Sequence, residues 1–429
     1  MSLGKDARDF LSNFDHPVAE YANQLPYMLG GLTAVCLVLI IMAGIYMAPF
    51  YVPTPQQAYS STLNIIQNVP FGEFARSVHL WGANIIILLM ALHLARIIIT
   101  GSYKKPRRIL YIIGVLMLFT ILFMTYLGTV LPLDQVGVDA AIRSQQTAAL
   151  LGVNVPFAQM VGPDASLHIS VMVMVLLGLL ALHMYLVEKI GISPKATKNA
   201  VARRTAGEGK SSFMAHMKKL IGVGCLLTSF IGTLAIVSPA PIGHPGVYDP
   251  SVMITKPVEA ILYVNDKMLD VFGPTSLLWG PGLLFVLLLL FPLADRNPHL
   301  YWKKRIPAML LGLFVLIWAL AFIYIDATAP TQYSGICAAP PANGMCVPAG
   351  AENQTGLENT TFLENESLGL NNTLYFVSNG TLATPADVYG GYVNVPSKSA
   401  QETPVIAAAL AVIAVAGVAI LLSMRRRKS

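Results

Sequence analysis

Charge is what this sequence has least of. Only 12% of its 429 residues are charged, about half the share of a soluble globular chain. Too little polar surface remains to solvate several soluble domains, so an ordinary soluble enzyme is not expected. Cysteine is scarce too: four residues are too few for a disulfide scaffold. No cleavable leader is expected, because residues 1–27 carry charges and two prolines, and the apolar run after them is too long for an h-region. What is abundant is apolar: 55% hydrophobic residues and a mean hydropathy of +0.62, which also exclude a disordered chain.

A membrane span needs about 20 predominantly apolar residues. Eight segments qualify: 28–50, 79–100, 110–131, 168–187, 219–238, 276–293, 306–325 and 404–423. The expected fold is therefore an all-α integral membrane protein with eight transmembrane helices. Net charge is +6, and its placement sets direction. With the N-terminus inside, the inner segments hold 22 of the 28 Lys and Arg and the outer segments hold five. Both termini then face the cytoplasm of a multi-pass cell-membrane protein. The basic runs 103–108 and 425–428 read as stop anchors in a lipid membrane, not as a nucleic-acid surface. Residues 327–403 fall outside. That stretch contains five N-x-S/T sequons, at Asn353, Asn359, Asn365, Asn371 and Asn379, expected to be glycosylated. Cys337 and Cys346 lie there too, where a disulfide persists. Cys36 and Cys225 fall within spans as packing residues.

Ionisable residues inside a membrane point to function. His79 and His93 sit on the second span, His168 and His183 on the fourth. Spacings of 14 and 15 residues return to within about 40° and 60° of one helix face, with a rise of about 21 Å. Two such helices facing each other offer two imidazole pairs at two depths: His79 with His168 outside, His93 with His183 inside. Two His without Cys or carboxylate do not complete a tetrahedral zinc site. They suit bis-histidine haem, whose porphyrin supplies four ligands. The first four spans are then a dihaem four-helix bundle. Gly30 and Gly44 on the first span, and Gly114 and Gly128 on the third, share the 14-residue pitch. They are expected to let backbones approach the haem plates.

These features resemble the cytochrome b of quinol-oxidising cytochrome bc and photosynthetic bf complexes. The shared stretches are Arg76-Ser77-Val78-His79, His93-Leu94-Ala95-Arg96, Gly101-Ser102-Tyr103-Lys104-Lys105-Pro106-Arg107, Leu131-Pro132-Leu133-Asp134-Gln135, Lys189-Ile190-Gly191-Ile192-Ser193, Pro239–Pro245 and Asn297-Pro298. The fused second half and the external sequons hint at an archaeal type. The resemblance implies two b-type haems, quinone as substrate, Arg76 and Arg96 as propionate partners, and proton translocation coupled to electron transfer. It also implies a Rieske iron–sulfur partner, a further acceptor (cytochrome c, a copper protein or a terminal oxidase) and a homodimer. No covalent inner haem is expected, since Met28 and Leu29 stand where a Cys would be needed.

The chain then divides into an N-terminal segment 1–27, a dihaem bundle 28–200, a second cytochrome b region 201–326 and, beyond the resemblance, an external segment 327–403 and an anchor 404–429. Departures fall at the outer quinol site. Pro257-Val258-Glu259-Ala260 replaces Pro-Glu-Trp-Tyr, Leu133 replaces Trp and Thr129 replaces Tyr; apart from that site, Asp164 stands where the family has Arg, so that the outer haem loses one expected partner. Glu259 and Asp134 are the candidate proton acceptors. Two other readings are a dihaem conduit without the bifurcating site, and a transporter with a histidine proton relay.

Overall fold

The computed structural model describes residues 15–243, apart from 151, 155, 157 and 158, and residues 245, 275–295, 297–310, 312, 313, 317 and 399–426. Six helices in it are long and apolar enough to cross a membrane. In chain order the helices are α1 (Leu25–Met47), α2 (Ala58–Gln67), α3 (Gly72–Ile99), α4 (Arg108–Val130), α5 (Gln135–Leu150), α6 (Val161–Ile190), α7 (Phe213–Val237), α8 (Ser276–Ala294) and α9 (Ser399–Arg426). The sixth expected span, 276–293, appears as α8, 19 residues long. Most of the seventh, 306–325, lies outside the described residues. The segments expected outside the membrane at 51–78 and 132–167 carry the short helices α2 and α5.

α1 packs along α3, and α4 along α6, while α3 and α6 approach each other less closely. A continuous apolar core joins the bundle to α7, including Met28, Leu32, Cys36, Ile86, Ile113, Leu176 and Ile231. Hydroxyls within the spans are satisfied locally: Thr120 and Thr125 donate to the carbonyls four residues earlier, as an apolar surrounding requires. α9 lies against α7 through close backbone contact. A Cβ on Gly417 would stand 2.7 Å from the Gly222 carbonyl oxygen, and the Ser229 hydroxyl donates to Leu410 at 3.0 Å.

Buried arginines close the ends of α3 and α6 that the charge bias is expected to place inside. Arg107, 3% exposed, donates to the carbonyls of Gly191, Arg203 and Ile192 at 2.8–2.9 Å. It thereby neutralises the carbonyl end of α6, where the helix dipole is negative. Its burial pulls the guanidinium down to about 10. Arg305, 2% exposed, does the same for α3 through Ile99 and Ile98. Its Nε also reaches Asp295 at 3.2 Å, and Lys104 Nζ lies 2.8 Å from the same carboxylate. The motifs at 101–107 and 295–298, nearly 200 residues apart, meet here. A two-stranded pairing of Pro17–Val18 with Ser211–Ser212 ties the N-terminal segment to the start of α7.

Candidate functional site

α3 begins at Gly72, seven residues before His79. The reason is steric: a Cβ there would lie 2.0 Å from the Ile65 carbonyl oxygen, so the tight turn from α2 needs glycine. α6 likewise begins at Val161, so His168 lies well inside the helix instead of at its start. Both outer histidines are therefore held on rigid helix.

The outer pair meets across the bundle. The imidazoles of His79 and His168 have ring centres 6.0 Å apart at an interplanar angle of 64°. His79 Nδ1 is 3.0 Å from the Ile40 carbonyl oxygen and His168 Nδ1 is 2.8 Å from that of Met124. A carbonyl only accepts, so Nδ1 carries the proton and Nε2 keeps its lone pair. The inner pair is less fully hydrogen-bonded. His93 is within electrostatic reach of His183, and neither Nδ1 makes a hydrogen bond of acceptable geometry. The Leu110 carbonyl nevertheless acts on His183.

Each histidine rests on one glycine. A Cβ at Gly44 would lie 3.2 Å from His79 Cε1, at Gly128 2.8 Å from His168 Cε1, at Gly30 3.0 Å from His93 Cε1, and at Gly114 3.5 Å from His183 Cε1. The glycines thus make room for the imidazoles themselves, a more specific role than admitting a flat plate. In the outer pair the accepting carbonyl, Ile40 or Met124, lies four residues before the glycine. The ring therefore slides over the glycine onto a single helical turn.

The 15-residue spacing has a local cause. Residues Leu167–Val171 form a π segment, whose i→i+5 bonding inserts one extra residue in a turn. Fifteen residues on α6 then subtend what fourteen subtend on α3.

The donor set fits bis-imidazole haem. Two imidazoles bound to one metal at about 2 Å each have ring centres about 6 Å apart, matching the outer pair. Among the described residues no three His, Cys, Asp or Glu side chains group as a metal site. Arg96 at the inner end is stacked on Tyr27, 4.2 Å from the ring centroid. Its buried Nε has no hydrogen-bond partner, which suits a carboxylate guest. Arg76 is placed differently: it donates to the carbonyls of Ala240 and Pro241 at 2.7 and 2.8 Å.

That bond is part of an outer seal. The 238–243 loop is stitched over the outer end of α3 by Trp81 to Ser238 at 2.7 Å, by the Ala240 amide to Ser77 at 2.8 Å, and by Asp134. Asp134 is buried, not a solvated loop carboxylate. One oxygen accepts from the Gly137 amide at 3.0 Å, capping α5, and the other from the Gly243 amide at 2.9 Å. Burial pushes its carboxyl above the usual range, against the pull of those two amides and Arg76. Tyr59 donates to the Gly243 carbonyl at 3.0 Å. Burial raises its hydroxyl to about 12. Leu133, 3% exposed, joins an apolar cluster with Ala58, Val130, Val138, Ala141 and Val161. Thr129 donates back to Thr125.

Glu259, Cys337, Cys346 and the five sequon asparagines lie outside the described residues. Sequence reasoning missed two features. One is the inner polar cluster in which His216 Nδ1 lies 3.1 Å from Asn23 Oδ1 and Lys219 donates to the Asn23 carbonyl at 2.6 Å. The other is the setting of Asp164, noted in the sequence only as a replacement for Arg: it is 8% exposed and its Oδ2 is buried without a partner. No local pattern signals either, since both depend on contacts between distant segments.

Comparison with known proteins follows the same geometry. A family model described as "Cytochrome b/b6/petB" matches residues 14–151, and one described as "Cytochrome b(N-terminal)/b6/petB" matches residues 84–245. The chain is 33% identical over 204 residues to cytochrome b6 of Heliobacterium mobile, covering 44% of this chain and 94% of that protein. It is 31% identical over 198 residues to the menaquinol:cytochrome c reductase cytochrome b subunit of Bacillus subtilis (strain 168), covering 42% and 88%. A solved structure, "Hyperthermophilic respiratory Complex III", has the same fold. Its TM-score is 0.61 at 20% identity, covering 76% of this chain and 90% of that chain.

Proposed function

The chain belongs to the cytochrome b/b6 family, and on that footing we propose that it is the dihaem cytochrome b subunit of a quinol-oxidising membrane complex of the bc/b6f type. The observation that carries this reading is the outer His79–His168 pair, 6.0 Å between ring centres, with each imidazole seated on a glycine. The same His–Gly arrangement recurs about 21 Å deeper. Haem bound at the two levels would supply one-electron transfer across most of a membrane of about 30 Å.

The chain's own residues do the rest. His79, His168, His93 and His183 would hold iron through Nε2. Gly44, Gly128, Gly30 and Gly114 let those rings close on the helices. Arg96 offers its fork at the inner face, while Arg76 seals the outer loop beside the outer pair. Quinol protons would leave outside and quinone would take protons inside. Orientation follows the charge bias, with both termini cytoplasmic. A Rieske-type iron–sulfur protein, a further electron acceptor and a second copy of the chain are the proposed partners. Glycosylation at the five sequons and a Cys337–Cys346 disulfide belong to the proposed outer segment.

A second reading, a dihaem conduit without quinol oxidation, draws on the altered 257–260 motif and on Asp134, whose two oxygens are both spent on amides. The transporter reading expects broken helices, whereas α1, α3 and α4 run unbroken through the bundle.

The test is spectroscopic. The dithionite-reduced complex should show two b-type components, and His93→Ala should remove the inner one while leaving the outer one. Loss of neither would refute the haem assignment. Quinol-driven reduction of both haems separates the first reading from the conduit. For orientation, a cysteine at exposed Lys105 should be shielded from an impermeant outside label and one at exposed Gln57 should react; the reverse would invert the topology.

A further inference from the structure

Asp164 lies in the first turn of α6, one turn before His168, and is 8% exposed. Its Oδ2 is buried and meets no hydrogen-bond donor. Such an oxygen is costly to leave unpaired, so the absence of a protein donor needs a reason.

Two hydroxyls are near enough to interact with it electrostatically, those of Tyr51 and Tyr126. Both spend their proton elsewhere. Tyr51 donates to the Leu131 carbonyl at 2.7 Å. Tyr126 donates to the Ala140 carbonyl and bonds the Ser144 hydroxyl at 2.8 Å. Tyr51 and Tyr126 also pack on the apolar cluster of Ala58, Val130, Leu133, Val138 and Val161. The surroundings therefore combine an apolar wall with one carboxylate oxygen lacking a donor. A quinol, a flat apolar ring carrying O–H donors, matches both features. The position at a helix N-terminus favours the ionised carboxylate, so the group is unprotonated before quinol arrives.

We propose that Asp164 is the proton acceptor of the outer quinol site, a proposal that rests on the quinol-oxidising reading above. The quinol O–H bond breaks, its proton passes to Asp164 Oδ2, and the bonding pair stays on the quinol oxygen. The quinol's two electrons would need two one-electron oxidants, a haem held by His79 and His168 and an external iron–sulfur protein. The second quinol proton leaves to water. Transfer proceeds in direct contact or through one water. Asp134, by contrast, already accepts a backbone amide on each oxygen.

The experiment compares wild type, Asp164→Asn, Asp164→Glu and Glu259→Gln in the assembled complex. Asp164→Asn should slow quinol-driven haem reduction by at least about a hundredfold, with both haems present and fully reducible by dithionite. Asp164→Glu should recover much of the rate. A second measurement needs no turnover: acidifying the quinol-free protein should raise an infrared band of a protonated carboxyl that Asp164→Asn lacks. Undiminished reduction in Asp164→Asn, or an unchanged infrared difference, overturns the proposal, and a loss confined to Glu259→Gln moves the role there. If wild type itself fails to reduce its haems with quinol, the quinol-oxidising reading falls and this one with it.

Discussion

His168 rests on Gly128 so closely that a Cβ on the glycine would stand 2.8 Å from the imidazole Cε1, while its Nδ1 bonds Met124 one turn away at 2.8 Å. Ring and helix backbone are therefore a fitted pair, and the four such pairs differ in tightness. Gly128→Ala should displace His168 and strip the outer haem. Gly114→Ala, with 3.5 Å to His183, is an ordinary contact and should leave the inner haem bound. Gly30→Ala and Gly44→Ala, at 3.0 and 3.2 Å, should fall between. Haem content and reduced spectra of the four variants check the order; equal tolerance at Gly128 and Gly114 would contradict it.

Asp134→Asn should destabilise the protein. An amide NH2 would replace one oxygen and face the N–H of Gly137 or Gly243, donor against donor. The expected loss is about 1–3 kcal/mol, read by thermal unfolding together with faster proteolysis of the 238–243 loop. A variant with native stability and slowed quinol oxidation would instead make Asp134 a proton acceptor.

Asp295 gives a pH signature at the inner face. Its burial opposes charge, but hydrogen bonds from Lys104 and Tyr103 and the Lys104 charge outweigh that and hold the carboxyl below its usual value of 3.8. The folded state then binds fewer protons than the unfolded one. This contribution is complete above that value and is lost as pH falls through the lower folded one. Stability of wild type should drop more steeply below about pH 4 than that of Asp295→Asn. Parallel curves for the two proteins would remove the effect.

Gly417→Leu should lift α9 from α7. The added Cβ would meet the Gly222 carbonyl at 2.7 Å and Cys225 Cβ at 2.9 Å, and a backbone carbonyl cannot swing aside as a side chain can. Overpacking of this kind costs about 1–3 kcal/mol. Thermal stability should fall while the haem spectrum stays unchanged; loss of haem would give α9 a role in the bundle itself.

The histidine and glycine pitch was legible in the sequence because helix geometry is local: fourteen residues on α3 fix an angle and a depth whatever surrounds them. The extra residue between His168 and His183 was visible, but not the π segment that absorbs it, since no residue pattern distinguishes that turn. α2 and α5 escaped a reading tuned to long apolar runs, because they are short and carry polar faces. The roles of Asp134, Arg107 and Arg305 were illegible for a different reason. Their partners are backbone groups up to some 200 residues away, and a carbonyl leaves no signature in the side-chain sequence.

The stitches between the two halves of the chain have a consequence for its covalent continuity. On the outer face, Arg76, Ser77, Trp81 and Asp134 grip residues 238–243. On the inner face, Lys104 pairs with Asp295, and Arg305 reaches back to Ile98 and Ile99. The peptide linking the halves, residues 191–210, is itself held by Arg107, at Gly191 and Ile192 on one side of Lys198 and at Arg203 on the other. A gene split near Lys198, coding for two polypeptides, should still yield a complex in which the fragments find each other in the bilayer and copurify.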